Sequence, residues 1–211
     1  MRKFIFLISM LFGFASCLSS KFNPSFNGSV RYQYSYSSTI LDEDSLRNVR
    51  PGLGLFRYDR CCYQSSFVGI DTFTYYYSGR VNKCLSQLGN STSFECEDYD
   101  LHTDSILSIK DYSCSETILG YSCRILEMQK KNSWVRYYYA TDMRIAKATY
   151  KNHRSYNWDT YGNHTKGGLI LKLEHRFARF TMTGIAVAID QQHKTFKALQ
   201  IPDSLFAKYC R

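Results

Sequence analysis

The sequence predicts a mostly β, antiparallel domain, and three observations carry that prediction. Runs of Tyr, Val, Ile, Thr and Phe alternate with polar residues at a period of two, as half-buried strands do. Short turn segments separate successive runs, which gives a meander of hairpins rather than strand–helix–strand units. No long amphipathic helix interrupts them. Roughly nine to eleven strands follow from this pattern. No internal repeat or linker divides the chain, and 211 residues suit one domain once a targeting segment is set aside.

That targeting segment comes first. Arg2 and Lys3 precede a nearly all-apolar run from Phe4 to Ala15, and Ala15, Ser16, Cys17, Ser19 and Ser20 offer cleavage sites. Residues 1–17 read as a signal peptide and residues 18–211 as a single exported, extracellular domain. The apolar run is too short for a comfortable membrane span. The other reading is a bacterial lipobox at Phe14-Ala15-Ser16-Cys17, with Cys17 acylated, although Phe stands where Leu is usual. Sequons at Asn27, Asn90 and Asn163 lie in polar, turn-like surroundings and suit a secreted glycoprotein.

In the first strand, Val30, Tyr32, Tyr34 and Tyr36 share one face. Residues 41–50 form a short helix or loop, ended by Pro51-Gly52. Residues 54–62 and 63–70 are strands. Residues 72–77, a two-residue Ser78-Gly79 turn and residues 80–85 make a hairpin. Residues 88–102 are an acidic loop, and 106–112 a further strand. Residues 117–128 and 134–141 pair as a second hairpin about Lys130-Lys131-Asn132-Ser133. The polar, aromatic-spotted stretch 143–166 is long enough to be functional or partly helical. Leu169, Leu171 and Leu173 share a strand face, opposite Ile170, Lys172 and Glu174. Residues 177–183, 185–189 and 195–199 add strand, and Pro202-Asp203-Ser204 opens a short terminal helix.

Eight cysteines suit an oxidising compartment: Cys17, Cys61, Cys62, Cys84, Cys96, Cys114, Cys123 and Cys210. If Cys17 leaves with the signal, one thiol stays free or pairs between chains as a disulfide-linked dimer. Short loops favour Cys114 with Cys123 and Cys84 with Cys96. Cys61 and Cys62 would point to opposite faces of a strand and take different partners. Cys210 needs a distant partner, which would pin the C-terminus. No C-x-x-C pair or Cys–His finger spacing suggests zinc.

Charge is uneven. Residues through Gln129 carry 12 Lys and Arg against 13 Asp and Glu, whereas Lys130 onward carries 15 against 5. In an exported protein a basic face suits anionic lipid headgroups, sulfated glycans or acidic partners before nucleic acid. A solvated basic surface is the plainer account.

No nucleophile elbow, phosphate loop, dinucleotide fingerprint or His-Glu-x-x-His occurs. The five histidines (His102, His153, His164, His175, His193) lack ligand spacing. Asp42-Glu43-Asp44 and the acidic run from Glu95 to Asp104 could hold calcium loosely, but solvated acidic loops explain them better. We therefore expect no enzyme, no metal and no cofactor.

The aromatics stand out: 18 Tyr, 14 Phe and 2 Trp. Tyr-Tyr-Tyr occurs at Tyr75–Tyr77 and at Tyr137–Tyr139, and three consecutive aromatics on a strand cover both faces. Tyr suits a cavity wall because its ring is apolar while its hydroxyl still reaches water; an ordinary Tyr-rich core is the competing account. By alternation, the candidate lining residues are Tyr32, Tyr34, Tyr36, Tyr75, Tyr77, Tyr137, Tyr139, Leu169, Leu171 and Leu173. The ligand would be a hydrophobic small molecule or lipid.

Ile118-Leu119-Gly120-Tyr121-Ser122-Cys123, the strand ending Tyr139-Ala140-Thr141, and Lys166-Gly167-Gly168-Leu169-Ile170-Leu171-Lys172-Leu173-Glu174 together resemble the core of GLPGLI-type exported proteins. The Pro of that signature is missing here. Such proteins are similar in turn to the LolA/LppX group of lipid and lipoprotein carriers. The stretch Tyr75 to Cys84 and the ending Ile201 to Cys210 resemble ependymin-related secreted proteins. Both resemblances imply a LolA-like fold: a curved, incompletely closed antiparallel β-barrel with few short helices, cupping a hydrophobic pocket. They imply lipid-like ligands, with calcium and matrix association on the ependymin side, and no catalytic residues. An extracellular matrix or adhesion role is the alternative.

Overall fold

A computed structural model of the protein describes residues 25–101, 104–191 and 203–210. The expected signal segment with Cys17, the expected strand at 195–199, His102 and His193 lie outside the described residues.

Eleven strands form one antiparallel sheet: β1 (Gly28–Ser37), β2 (Leu53–Asp59), β3 (Cys62–Val68), β4 (Thr72–Ser78), β5 (Lys83–Leu88), β6 (Glu95–Asp98), β7 (Ile106–Ile118), β8 (Tyr121–Lys130), β9 (Trp134–Arg144), β10 (Gly168–Arg176) and β11 (Thr181–Gln191). Their order is β6-β5-β4-β3-β2-β1-β11-β10-β9-β8-β7. Two meanders, β1–β6 and β7–β11, are thus joined by one long-range pairing, β1 against β11.

Chain length forces the sheet to curve. Laid flat, eleven strands would span about 48 Å at ~4.8 Å per spacing. β6 and β7 are the two edges, yet the chain between Asp98 and Ile106 reaches at most ~29 Å. The edges must therefore approach each other. The sheet is accordingly curved without closing into a barrel.

Among the described residues helices are few and short: α1 (Glu43–Val49), α2 (Trp158–Thr165) and α3 (Asp203–Tyr209). Asp42 caps α1 by accepting from the Ser45 N–H at 2.8 Å, and Leu46 anchors it. The stretch between β9 and β10 is partly helical, with 3-10 turns at Lys147–Thr149 and Ser155–Asn157 ahead of α2. Tyr150 locks this excursion, its ring lying where a Cβ on Gly162 or Gly167 would otherwise stand.

Several boundaries differ from the sequence reading. The 117–128 run is broken at Leu119-Gly120, a two-residue turn with φ of 52° and 84° that joins β7 to β8. Both central residues are left-handed, as a type I′ hairpin requires. The β4–β5 turn is wider than Ser78-Gly79, because Ser78 pairs with Lys83. Part of the acidic loop is the edge strand β6. Residues 177–180 form a turn, so β11 is one strand where two were expected. Leu169, Leu171 and Leu173 do not share a face: a register shift between Ile170 and Lys172 breaks the alternation. Leu169 and Leu171 join one core cluster, and Leu173 packs with Ile170 against the other.

The disulfide pattern also changes. Cys96 bonds Cys210 across 114 residues, pinning α3 over β5 and β6. The distant partner required by Cys210 is therefore Cys96. Cys84 is a buried free thiol: it pairs in register with Glu97, while Cys96 faces Leu85, so the two cysteines point to opposite sheet faces. Cys123 is also free, because the shift between Tyr112 and Glu116 sets Glu116, rather than Cys114, opposite it. Cys61 and Cys62 are free as well.

Candidate functional site: an aromatic row on the inner face

β1 supplies the first row. Its burial alternates without a break from Gly28 to Ser37, setting Val30, Tyr32, Tyr34 and Tyr36 inward. Glycines flank Tyr34 on both neighbouring strands: a Cβ on Gly54 would meet its ring at 2.7 Å, and one on Gly184 at 2.5 Å. Tyr34 therefore lies flat across three strands. Directly paired residues share a face, so the registers of β2 to β5 continue the row. Gly54, Phe67, Phe73 and Leu88 form one line across the strands. Phe56, Ser65, Tyr75 and Ser86 form the next, and Tyr58, Tyr63, Tyr77 and Cys84 the third.

Ring contacts make the row continuous. Tyr32 stacks on Tyr34 at 6.3 Å, Tyr34 meets Phe67 at 6.0 Å, and Phe67 meets Tyr75 edge-on at 6.0 Å. Phe56 joins Tyr58 and Phe67, and Tyr58 leads to Tyr63 and Tyr77. Burial pushes the phenols of Tyr32, Tyr34, Tyr58 and Tyr63 well above their ordinary range, so the row is uncharged.

One half of this face is covered by the chain itself. The excursion lays His153, Trp158 and Tyr161 over it, and the β6–β7 connection adds Tyr99. His153 is enclosed by the rings of Tyr63, Tyr77, Tyr99 and Trp158, at 4.3–5.9 Å. Its Nε2 shares a 2.9 Å hydrogen bond with the Tyr63 hydroxyl, and its Nδ1 is buried without a partner. Burial lowers its pKa to about 3. Tyr161 donates to the Gly168 carbonyl at 2.6 Å and packs against Tyr137 and Tyr139. Tyr156 and Asn157 are both left-handed, with φ of 55° and 62°. Lys130, itself buried, donates to the Tyr156 carbonyl at 3.3 Å and holds that strained pair in place.

The other half is more open. Phe73 is 44% exposed and Leu88 49%, while Phe67 and Tyr75 are half-buried beside them. This open line continues into Tyr34 and, at the end of β1, into Tyr36 and Phe180.

Of the ten lining candidates, Tyr32, Tyr34, Tyr36, Tyr77, Tyr139, Leu169 and Leu171 are buried by the protein's own side chains. Tyr75, Tyr137 and Leu173 are half-buried. Tyr34, Tyr36, Tyr75 and Tyr77 fall on one continuous row; Tyr137 and Tyr139 instead pack beneath Tyr161 in the second core cluster. The reading missed Phe67, Phe73 and Leu88. Phe73 precedes Tyr75 by two positions, so the alternation that selected Tyr75 points to it too.

Asn90 and Asn163 are exposed, the first in the β5–β6 turn and the second on α2 rather than in a loop. Asn27 is half-buried with its Oδ1 enclosed. Exposed Arg144, Lys147, Lys151, Arg154 and Lys166 decorate the excursion. Arg136 and Lys172, by contrast, are neutralised by Glu127, Glu174 and Glu116. Among the described residues, no group of three His, Cys, Asp or Glu side chains could hold a metal ion.

Fold and row define an all-antiparallel, open-sheet β-protein with an aromatic inner face. No family model matches the chain, and no curated protein matches it at a significant level. Solved structures similar to it include PNGF-II in the P21 space group, at 12% identity, a TM-score of 0.49, 84% of this chain and 31% of that one. PNGF-II in the C2 space group is similar at 10% identity and a TM-score of 0.44, over 82% and 29% of the two chains. The chain spans less than a third of PNGF-II.

Proposed function

We propose that this protein is a secreted, glycosylated binding protein that takes a hydrophobic or amphipathic, lipid-like ligand on its open aromatic row. One observation carries the reading: Phe67, Phe73, Tyr75 and Leu88 form a contiguous apolar surface on the inner side of a curved sheet, and Phe73 and Leu88 on it stay 44% and 49% exposed. Inward curvature shields such a surface from other proteins while leaving it open to a small molecule. Tyr75, part apolar ring and part hydroxyl, suits a ligand with one polar end. The exposed cations of the neighbouring excursion would meet an anionic headgroup. Resemblance to LolA/LppX-type carriers and ependymin-related proteins points the same way, and the ligand chemistry requires no cofactor or catalytic group.

The test is titration of the purified full chain with a fluorescent fatty-acid probe. Saturable binding to the wild type, weakened at least tenfold in Phe73→Ser, is expected. Equal affinity in both proteins, or no binding, would overturn the reading.

A second reading, an extracellular matrix or adhesion-type interaction protein, has its own observation. Ile185, Leu53 and Val68 lie along one line of the outer face through the pairings Ile185–Gln33, Gln33–Leu53 and Leu53–Val68, and all three are exposed. Self-association in sedimentation, lost in Leu53→Lys, would favour it; a monomer at all concentrations would not.

A further inference from the structure

Strand alternation expects Cys61 and Cys62 to diverge; the structure brings them together. Asp59 and Cys62 are direct partners across a two-residue turn, so only Cys62 belongs to a strand. Arg60 opens that turn in the left-handed region, at φ 48°, which takes Cys61 out of the alternation. The sulfurs lie 3.4 Å apart, and both residues are half-buried, within reach of small solutes. A disulfide places its sulfurs ~2.05 Å apart, so closure over about 1.4 Å suffices. Burial pushes the Cys62 thiol up to about 11, which leaves little of it as the reactive thiolate.

We propose that Cys61 and Cys62 form a reversible vicinal disulfide, a redox modification site at the turn that anchors the excursion. The oxidant is a low-molecular-weight disulfide. The Cys61 thiolate attacks one of its sulfurs and releases the first thiolate, leaving a mixed disulfide on Cys61. The Cys62 sulfur then attacks Cys61 Sγ, gives up its proton and expels the second thiolate. Two protein thiols and one external disulfide become one protein disulfide and two external thiols.

Neighbouring Cα atoms are ~3.8 Å apart across a trans peptide, closer than the ~4.4–6.8 Å of ordinary disulfides. The ring is strained, and strained disulfides are the readily reduced ones. Cys96–Cys210, with Cα atoms 5.2 Å apart, is within the ordinary range. The turn also touches the cover. The Arg60 carbonyl accepts from Thr149 Oγ1 at 2.9 Å, and the Cys61 carbonyl from the Gly79 N–H at 2.8 Å. A change in this turn therefore acts directly on the first 3-10 turn of the excursion.

The test is peptide mapping after equilibrating the folded, full-length chain in graded ratios of oxidised to reduced glutathione, with free thiols then alkylated. Cleavage after Arg60 and Arg80 isolates residues 61–80, which hold no other cysteine. Under oxidising ratios this peptide should carry no alkyl group and weigh two hydrogens less. It should revert to two alkyl groups at a reductant level on the order of tenfold below that needed to open Cys96–Cys210. A doubly alkylated peptide at every ratio would overturn the proposal, as would glutathione retained on one cysteine or a bond from either to Cys84. A disulfide as resistant as Cys96–Cys210 would overturn its reversibility. Cys62→Ser should trap the glutathione adduct on Cys61, which confirms the order of attack; an unmodified Cys61 refutes it.

Discussion

The two halves of the aromatic inner face begin from the same residue types and end in different states. Near the β2–β3 and β4–β5 turns, Tyr63 and Tyr77 lie under His153, Trp158 and Tyr99, Phe26 packs on Tyr58, and Tyr77 is only 2% exposed. A few residues along the same strands, Phe73 is 44% exposed and Phe67 and Tyr75 are half-buried. The difference does not come from the strands, whose alternation is the same in both halves. It comes from two connections, the excursion and the β6–β7 link that carries Tyr99, which together close over the first half. An aromatic surface with a cover is core; the same surface without one is free to bind.

Removing the cover should have the largest effect. Tyr161 is 2% exposed, bridges Tyr137, Tyr139 and Trp158, and donates to Gly168. Tyr161→Ala deletes a buried ring and leaves that carbonyl without its donor. A loss of about 3–5 kcal/mol is expected in urea unfolding. A loss under about 1 kcal/mol would mean that the excursion is a dispensable flap and that the two halves are alike.

How far the sequence disclosed this comparison varies from residue to residue. The Tyr32–Tyr34–Tyr36 alternation, the α1 segment, the partly helical 143–166 stretch and the distant partner of Cys210 were all legible, because each rests on local pattern or on parity. The turn at Leu119-Gly120 was not, since Leu in the left-handed region is paid for by the hairpin around it rather than signalled by composition. The broken alternation at Leu171 was hidden for a similar reason: a bulge is a property of two strands. The enclosure of His153 depends on contacts 54 to 90 residues away, from Tyr99 to Tyr63, and no periodicity reports those. Which half of the row is covered is likewise a tertiary fact.

Acid should weaken the covered half in a defined window. His153 has a folded pKa of about 3 against ~6.5 when unfolded. Above about pH 6.5 both states are neutral and the full stability is present. As pH falls towards about 3, the unfolded chain takes up a proton that the folded one refuses, at a cost of ~1.4 kcal/mol per pH unit. His175, lowered to about 4 mainly by burial and then by Lys130, acts in the same sense. Urea unfolding at about pH 7, 6 and 5 should show stability declining with acid, and His153→Phe should remove about half of the decline. An unchanged decline in the variant would place the buried proton site elsewhere.

Gly162 measures how tightly the cover itself is built. A Cβ there would stand 2.0 Å from the Tyr150 ring, which is buried and wedged between Gly162 and Gly167. Helix propensity favours Ala over Gly by ~1 kcal/mol, but forced overpacking costs about 1–3 kcal/mol, so the clash wins. Gly162→Ala should lose about 1 kcal/mol in thermal or urea unfolding. A gain would show that Tyr150 moves aside freely and that the excursion is loosely seated.

The smallest effect on stability, and the sharpest on function, belongs to Phe73. It is 44% exposed and in register with Phe67 and Leu88. Phe73→Ser removes apolar surface already in contact with water, so unfolding free energy should change by less than about 1 kcal/mol. Probe affinity should nonetheless fall at least tenfold, because the lost ring is part of the open surface rather than of the core. Tyr63→Phe is the matched control in the covered half. It loses the hydrogen bond to His153 and should cost about 1 kcal/mol of stability with no change in affinity. If the two variants exchanged these signatures, with Phe73 governing stability and Tyr63 governing binding, the ligand would lie beneath the excursion and the open row would be ordinary surface.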